Sequence, residues 1–221
     1  MKKDFRKYFL SKFPFMGMAF DGVVKGLQSP YILEEREMNV TQMDVFSRLM
    51  KDRIIIFADE FDATTCSIII AQLEYLDSVD PEAPITLQIN SPGGEVYSGM
   101  GLIETMNFIS APVSTCNIGM CASMGSMLLM SGELGKRSAL PHTRVMIHQP
   151  LSGVKGQASD IIIEAKEVER CRTELYEVIH KCTGQPLDKI QADADRNYWM
   201  TPEEALNYGI IDTIINKKKT A

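Results

Sequence analysis

The chain has 221 residues, of which 45% are hydrophobic and 24% are charged, as is typical of a globular domain with one sizeable core. Its formal net charge of −6 argues against nucleic acid as the main partner. No apolar run reaches the roughly 18 residues that a membrane span needs. The five cysteines include no CxxC pair and lie mostly in apolar surroundings, so they are expected to be reduced and buried, and no metal site is expected.

Residues 1–30 differ from the rest of the chain. They are basic and aromatic, lack periodicity and end in "GLQSP", which is typical of a linker. Lys12 and Pro14 interrupt the apolar stretch that an export signal would need, so export is not expected. The pattern predicts a flexible or removable leader over 1–30, a domain over 31–215 and a polar tail over 216–221.

Between residues 41 and 150, runs with helical spacing alternate with short apolar runs that are typical of buried strands. The predicted helices are 41–53, 62–79, 95–109 and a stretch after Gly119, and the predicted strands are 54–57, 85–89, 113–118, 136–141 and 144–148. Strands that alternate with helices in this way indicate an α/β domain with a mostly parallel sheet.

Beyond Pro150 the character of the sequence changes. The polar run 151–159 predicts an exposed loop, and apolar residues spaced by three and four predict one long helix over 159–184, ended by Gly184. Such a helix can reach beyond its own domain and mediate self-association, although a long core helix explains the pattern equally well. A last helix starting at Thr201, with a capping box, and a last strand over 210–215 are also predicted.

The stretch "GMCASMGSMLLMSG" (119–132) offers a candidate nucleophile. Ser123 follows a predicted strand and precedes a helix, near unpaired backbone N–H groups of the kind that stabilise an oxyanion. Ala122 and Gly125 leave space for a peptide to approach. The layout is similar to a nucleophile elbow, although G-x-S-x-G is absent. Close packing of a buried helix is the alternative explanation of these small residues, and it is the one we assign to Ser126 and Ser131.

A candidate base is His148, at the end of an apolar strand, because ligands bind at strand ends in α/β sheets. His142 in a loop and His180 near a helix C-terminus have structural explanations. A serine nucleophile and a histidine base need a third group to orient the imidazole, and spacing does not choose among the candidates. These are Asp188, Asp193, Asp195, Asn197 and Asp212.

The turn "NSPGG" (90–94) is the third feature. Two glycines after Pro92 allow positive φ angles and a close approach of backbone to a ligand, although a tight turn between strand and helix explains them equally well. The phosphate-binding pattern G-x-x-x-x-G-K-[ST] is absent.

Four segments in this order, "INSPGG", "GMCASMGSMLLMSG", "RVMIHQPLSG" and "GQASDI", resemble the Clp family of serine peptidases, and the likeness covers residues 31–215. The resemblance implies a crotonase-like α/β fold of repeated strand–helix units. It also implies a protruding helix–strand handle, formed by the helix from Ala158 and the loop before it. The implied activity is that of a serine endopeptidase that hydrolyses unfolded polypeptides.

The resemblance also implies roles for individual residues. Ser123 would be the nucleophile, His148 the general base and Asn197 the third member of the triad. The backbone N–H groups of Gly94 and Met124 would form the oxyanion hole.

At the position of Asn197 the family usually has aspartate. An amide oxygen can still accept a hydrogen bond from the imidazole, but it brings no charge to stabilise the imidazolium. Asp193 and Asp195 flank this position and are retained as alternative triad carboxylates.

For assembly, the resemblance implies a homo-oligomer of two stacked heptameric rings that encloses the active sites. An AAA+ unfoldase would deliver unfolded substrates and use the ATP, so that this chain needs no cofactor, and residues 31–39 would form an axial-pore loop. Neither nucleic acid nor membrane is an expected partner, and a bacterial cytoplasm is the expected location. Thr86 and Gln88 are polar where the family often has aromatic unfoldase-docking residues, whereas Phe108 is retained.

Two other functions compete. Asn197 suits a catalytically weak or regulatory ring subunit of the same complex. An acyl-CoA hydratase or isomerase on the same general fold would share the oxyanion chemistry, but it would not need a paired serine and histidine.

Overall fold

The computed structural model describes residues 31–36 and 39–216, with side chains from residue 43 onward. The predicted leader and residues 217–221 of the predicted tail lie outside the described residues. The chain divides into two compact units, Met1–Asp52 and Arg53–Ala221.

In the first unit, strands β1 (Tyr31–Arg36) and β2 (Asn39–Asp44) pair antiparallel, and helix α1 (Val45–Lys51) follows. The Asp44 side chain caps this helix by accepting from the Ser47 N–H at 3.0 Å. The predicted helix over 41–53 is therefore wrong in its first turn, because β1 pairs with these residues in a strand conformation. The residues expected to form an axial-pore loop belong largely to this pair of strands.

The second unit is built on one seven-stranded sheet. The order β3-β4-β5-β6-β9 is parallel, β7 adds parallel to β5, and β8 pairs antiparallel with β7. The strands are β3 (Ile54–Phe57), β4 (Ile85–Ser91), β5 (Val113–Ala122), β6 (Arg137–Ala139), β7 (Arg144–Ile147), β8 (Tyr198–Met200) and β9 (Thr213–Ile214). The mostly parallel α/β sheet predicted from the alternation is confirmed.

Six helices pack with this sheet in the described part of the second unit. They are α2 (Ala63–Val79), α3 (Val96–Phe108), α4 (Met124–Met130), α5 (Ala158–Thr183), α6 (Leu187–Asp193) and α7 (Pro202–Tyr208). The predicted capping box of Thr201 and Glu204 is present, and Gly184 ends α5 with a φ of 72°. Among the described residues, no helix is long and apolar enough to cross a membrane.

Strand β5 changes partner along its length. Its first half pairs with β6 and its last residues pair with β7, so the two partners diverge around Gly119. There the Asn117 Oδ1 accepts from the Gly119 N–H at 3.0 Å, and the Asn90 Oδ1 accepts from the Met120 N–H at 2.9 Å. Because these amide side chains satisfy the backbone, β5 extends beyond its predicted end at residue 118 and reaches Ala122.

The handle is only partly formed in the single chain. Its helix, α5, has 26 residues and buries side chains only in its second half, while Ile162 and Ile163 in its first half are 58% and 63% exposed. Residues 148–157 contain no strand, so the strand of the predicted helix–strand handle is absent here. A strand needs a neighbour for its backbone groups, and this segment has none within the described chain.

Candidate active site

Ser123 lies at the sharp turn between β5 and α4. Its backbone has φ 54° and ψ −122°, a conformation that costs energy for any residue except glycine. The turn is held from both sides, since the Ser123 N–H donates to the Met146 carbonyl at 2.9 Å and the Ser123 carbonyl accepts from the Ser126 N–H at 3.0 Å. The Ser126 hydroxyl donates to the same carbonyl at 2.7 Å. The Ser123 side chain does not cap α4, so its hydroxyl is available to another partner.

That partner is His148. Its Nε2 lies 2.9 Å from the Ser123 Oγ, and its Nδ1 lies 3.0 Å from the Asn197 Oδ1. An amide oxygen only accepts, so this contact places the imidazole proton on Nδ1 and leaves Nε2 free to accept from the serine hydroxyl. The structure thus brings together Ser123, His148 and Asn197 in one hydrogen-bonded chain.

The resemblance assigned the oxyanion hole to the backbone N–H groups of Gly94 and Met124. The Phe61 N–H donates to the Gly93 carbonyl at 2.9 Å, and the Phe61 carbonyl accepts from the Glu95 N–H at 2.8 Å. In this parallel bridge the N–H of Gly94 points away from Phe61. Met124 is the first residue of α4, where a helical N–H has no acceptor in its own helix. Within the described residues neither N–H has a hydrogen-bond acceptor.

The glycine turn lies directly against the serine. A Cβ on Gly93 would lie 2.6 Å from the Ser123 Cβ and 3.1 Å from its Oγ, so no larger residue fits between them. Gly93 and Gly94 also have φ angles of 102° and 148°, which other residues rarely adopt. The close backbone approach that the sequence allowed here is therefore an approach to Ser123.

Sequence reasoning missed Ser91, whose side chain holds the glycine turn in place. It is fully buried, its Oγ donates to the Asp59 carbonyl at 2.6 Å, and the same Oγ accepts from the Gly93 N–H at 3.2 Å. A polar residue that ends a buried strand just before Pro-Gly-Gly was the available signal. Gly125 belongs to the same packing, since a Cβ there would lie 2.9 Å from the Ser91 carbonyl oxygen. The expectation that Gly125 leaves space for a peptide is wrong, because its role is to let α4 approach β4.

Comparison with known proteins gives a consistent answer. A sequence model described as Clp protease matches residues 35–218. The ATP-dependent Clp protease proteolytic subunit of Bacteroides fragilis strain YCH46 is 55% identical over 218 residues, which cover 97% of this chain and 99% of that protein. The chain belongs to the Clp protease family. The subunits of the same name from Bacteroides thetaiotaomicron and Porphyromonas gingivalis are 54% and 50% identical, over 97% and 98% of this chain and 99% of each relative.

Membership of the Clp protease family confirms the resemblance, the crotonase-like α/β fold and the serine peptidase activity that the four motifs implied. It also places the chain in a protease complex that works with a Clp ATPase. The hydratase alternative is not supported by these relatives.

The carboxylates considered for the triad lie elsewhere. Asp193 accepts from the Tyr208 hydroxyl at 3.0 Å and from Lys189, and Asp195 accepts from the Gln149 amide at 3.2 Å. Of the side chains that the structure describes, only Asn197 is within hydrogen-bond distance of the His148 Nδ1.

Two further candidates have other positions. Asp188 lies in the first turn of α6, and Asp212 forms an ion pair with the buried Arg137 at 2.6 Å. Burial acts to raise the pKa of Asp212, but hydrogen bonds from the Arg137 side chain and backbone outweigh it and hold that pKa below its usual value. Arg137 also donates to the carbonyl of Met130, the last residue of α4. This pair therefore supports the helix that begins beside Ser123.

A depression beside Ser123 and His148 is mostly apolar. The other residues that line it are Val96, Met124, Ser126, Met127, Ile147, Pro150, Leu175, Tyr176 and Ile179. The charged side chains of the described residues are absent from this lining.

Neither a metal nor a cysteine nucleophile is indicated. No group of three or more His, Cys, Asp or Glu in the described part of the chain is placed to hold a metal ion. All five cysteines are free thiols; four are buried and Cys182 is half-buried. Burial raises the pKa of four of these thiols, those of Cys66, Cys121, Cys171 and Cys182, and so disfavours the reactive thiolate.

Proposed function

We propose that this Clp-family serine endopeptidase uses Ser123 as its nucleophile, His148 as its general base and Asn197 as the group that orients the base. One observation carries this assignment. The three side chains form a continuous hydrogen-bonded chain, with distances of 2.9 Å and 3.0 Å at its two contacts, and the N–H groups of Gly94 and Met124 have no acceptor among the described residues.

The geometry accounts for acyl transfer in two steps. The Ser123 Oγ attacks the peptide carbonyl carbon while the His148 Nε2 takes its proton, and the negative carbonyl oxygen binds the N–H groups of Gly94 and Met124. His148 then gives the proton to the leaving amine, the C–N bond breaks, and an ester to Ser123 remains. A water molecule attacks the ester with His148 again as base, and this step releases the acid and restores the serine.

Asn197 has a positional role in this mechanism. Its oxygen keeps the proton on Nδ1, so the nitrogen that faces Ser123 stays ready to accept. It adds no negative charge opposite the imidazolium, which predicts a slower proton transfer than with a carboxylate. The regulatory alternative rests on this difference alone, whereas the complete contact chain favours a working peptidase.

The apolar depression suggests which substrates are cleaved. We expect an apolar side chain next to the cleaved bond, because Met127, Leu175 and Ile179 surround the space beside Ser123. Such side chains are buried in folded proteins and become accessible in unfolded chains. Unfolded polypeptides are therefore the proposed substrates.

We further propose a homo-oligomer of two stacked heptameric rings in a bacterial cytoplasm, fed by an AAA+ unfoldase that uses the ATP while this chain uses no cofactor. The exposed apolar residues on the first half of α5 support self-association, since a large apolar surface of this kind usually contacts a partner. Phe108, 88% exposed, offers an apolar docking contact for the unfoldase. Thr86 and Gln88 are half-buried and polar, so the docking contacts differ from those of aromatic-rich relatives.

A fluorophosphonate probe and a fluorogenic peptide with an apolar residue before the cleaved bond test the assignment together. We expect the probe to label Ser123 and to abolish peptide hydrolysis in proportion to labelling. Native mass spectrometry of the same sample tests the rings. Hydrolysis that persists after complete labelling would show that another group is the nucleophile.

A further inference from the structure

The base of this site lies where regular structure ends. The antiparallel ladder of β7 and β8 stops at the pair Ile147 and Tyr198, and its register would place His148 opposite Asn197 in the next position. No ladder pair forms there, and only the side-chain contact of 3.0 Å joins these two residues. After His148 the chain has no helix or strand until Ala158. Since His148 begins an irregular segment, other contacts must hold its imidazole between Ser123 and Asn197.

The next residue, Gln149, makes the required connections. Its N–H donates to the Ala194 carbonyl at 2.6 Å, and its side-chain amide donates to the Asp195 carbonyl at 2.9 Å and to the Asp195 Oδ1 at 3.2 Å. These three hydrogen bonds, here called the Gln149 clamp, join the residue after His148 to the turn just before Asn197. The clamp continues the connection of the two segments beyond the point where the ladder stops.

The acceptor side of the clamp is itself fixed. Ala194 directly follows α6, its N–H donates to the Ile190 carbonyl at 2.9 Å, and both residues are fully buried. The preceding Asp193 is held by the Tyr208 hydroxyl at 3.0 Å. Because the Ala194 carbonyl is fixed, the hydrogen bond to it also fixes the backbone of Gln149.

We propose that Gln149 is a positioning residue that holds His148 between Ser123 and Asn197. The inference rests on the proposed function, because it assigns His148 as the base. Positioning by Gln149 matters more in this chain than in one with a carboxylate in its triad, since a neutral amide holds an imidazole less strongly than a charged group does. The Gln149 clamp supplies orientation that Asn197 alone supplies weakly.

The substitution Gln149→Leu tests this role, because it removes the side-chain donors and keeps the backbone bond to Ala194. We expect kcat to fall about 10-fold with KM within about twofold, since a misplaced base slows the reaction without changing the apolar binding surface. Gln149→Glu keeps the shape but turns a carboxylate toward the acceptors of Asp195, and its kcat should fall at least as much. The control is Ser78→Ala, because the Ser78 hydroxyl donates to the Tyr75 carbonyl at 2.7 Å on α2, which contributes no residue to the depression beside Ser123. Its kcat should not change.

The same substitution in an Asn197→Asp background separates positioning from a general structural effect. A carboxylate binds the imidazole more strongly, so the loss caused by Gln149→Leu should shrink to about twofold. If Gln149→Leu lowers kcat equally in the wild-type and Asn197→Asp backgrounds, the positioning role is wrong. It is also wrong if the wild type is active and neither Gln149 variant changes kcat; both outcomes leave the proposed function standing. A wild-type chain that neither hydrolyses peptides nor reacts with the fluorophosphonate would overturn the proposed function, and this role with it.

Discussion

The two halves of the active site are built differently. The serine side, defined by Ser91, Gly93, Gly94, Ser123 and Met124, is held by buried hydrogen bonds and by backbone contacts that exclude any Cβ. The histidine side, defined by His148, Gln149 and Asn197, is half-buried or exposed and depends on a few side-chain bonds.

This difference separates two parts of the chemistry. The proposed oxyanion site and the strained backbone of Ser123 are fixed by the packing of a single chain, so they should change only when the fold is disturbed. The proton relay lies next to an irregular segment and uses neutral groups. Substitutions there should change the rate with little effect on stability.

Removal of the nucleophile has the largest expected effect. Ser123→Ala should lower peptide hydrolysis by at least about 10³-fold and abolish fluorophosphonate labelling, because only binding and the oxyanion hole remain. The comparison uses initial rates with a fluorogenic peptide and native mass spectrometry for assembly. Ser131→Ala is the control, since the Ser131 hydroxyl donates to the Met127 carbonyl at 2.8 Å one turn beyond the site. Undiminished hydrolysis by Ser123→Ala would refute the assignment of the nucleophile.

Ser91→Ala should have the next largest effect and tests whether buried support fixes the oxyanion site. Loss of its hydroxyl frees the Gly93 N–H and the Asp59 carbonyl, so the glycine turn shifts and kcat should fall about 30-fold with KM nearly constant.

Ser138→Ala is the matched control for this change. Ser138 is 7% exposed and its hydroxyl donates to the Thr115 carbonyl at 3.1 Å, far along β5 from Ser123. Both variants should lose about 1–3 kcal/mol in the free energy of unfolding, measured with urea. If their kcat values fall equally, the effect of Ser91 is one of stability and not of placement.

On the histidine side, Asn197→Asp should increase kcat by about 10-fold, because a carboxylate stabilises the imidazolium that forms during attack. The gain is smaller than the ~10⁴-fold loss on the reverse change in trypsin-type enzymes, since this side is exposed to screening water. Steady-state kinetics with a fluorogenic peptide gives the value, and Asp188→Asn, away from the imidazole, should leave it unchanged. An unchanged or lower kcat in Asn197→Asp would show that the amide already provides what the base needs.

Acid should lower stability through the ion pair of Asp212 and Arg137, and loss of this pair should have the smallest effect on kcat. The lowered pKa of Asp212 means that its ion pair with Arg137 stabilises the folded state fully above the ordinary carboxyl pKa of about 3.9. This stabilisation is lost as the pH falls through the lower pKa of the folded state. Asp212→Asn should therefore lower the free energy of unfolding by ~3 kcal/mol at pH 7, and the difference from wild type should shrink below about pH 4.

Urea unfolding at several pH values, followed by the fluorescence of Trp199, measures this difference. Glu169→Gln, in an exposed pair with Arg172, is the control and should change the free energy of unfolding by less than ~1 kcal/mol. A difference between Asp212→Asn and wild type that stays constant down to pH 2 would exclude the ion pair as its source.

Local signals in the sequence predicted much of this molecule. The capping box at Thr201 and the glycine end of α5 depend on nearby residues, and the structure has both as predicted. The predicted buried strands are also present, but most of them end at other residues than predicted. Ser123 and His148 were candidates because each follows a strand-like run. Their roles as nucleophile and base remain predictions.

Long-range pairing explains what the residues alone could not decide. Spacing could not select Asn197 from five candidates, because its place opposite His148 depends on the register of β7 and β8, about fifty residues apart. The strand at residues 39–44 likewise depends on β1, and helical spacing at 41–53 concealed it. Gly125 was misinterpreted because only the packing of α4 on β4 shows which side of the glycine is filled.

The backbone of Ser123 has an evolutionary consequence. Glycine adopts φ 54° and ψ −122° without strain, so the fold alone would be more stable with glycine at this position. Selection for thermal stability and selection for a reactive hydroxyl therefore oppose each other at one residue. A descendant of this chain that is no longer selected for peptidase activity is expected to replace this serine with glycine early, and to become more stable as a result.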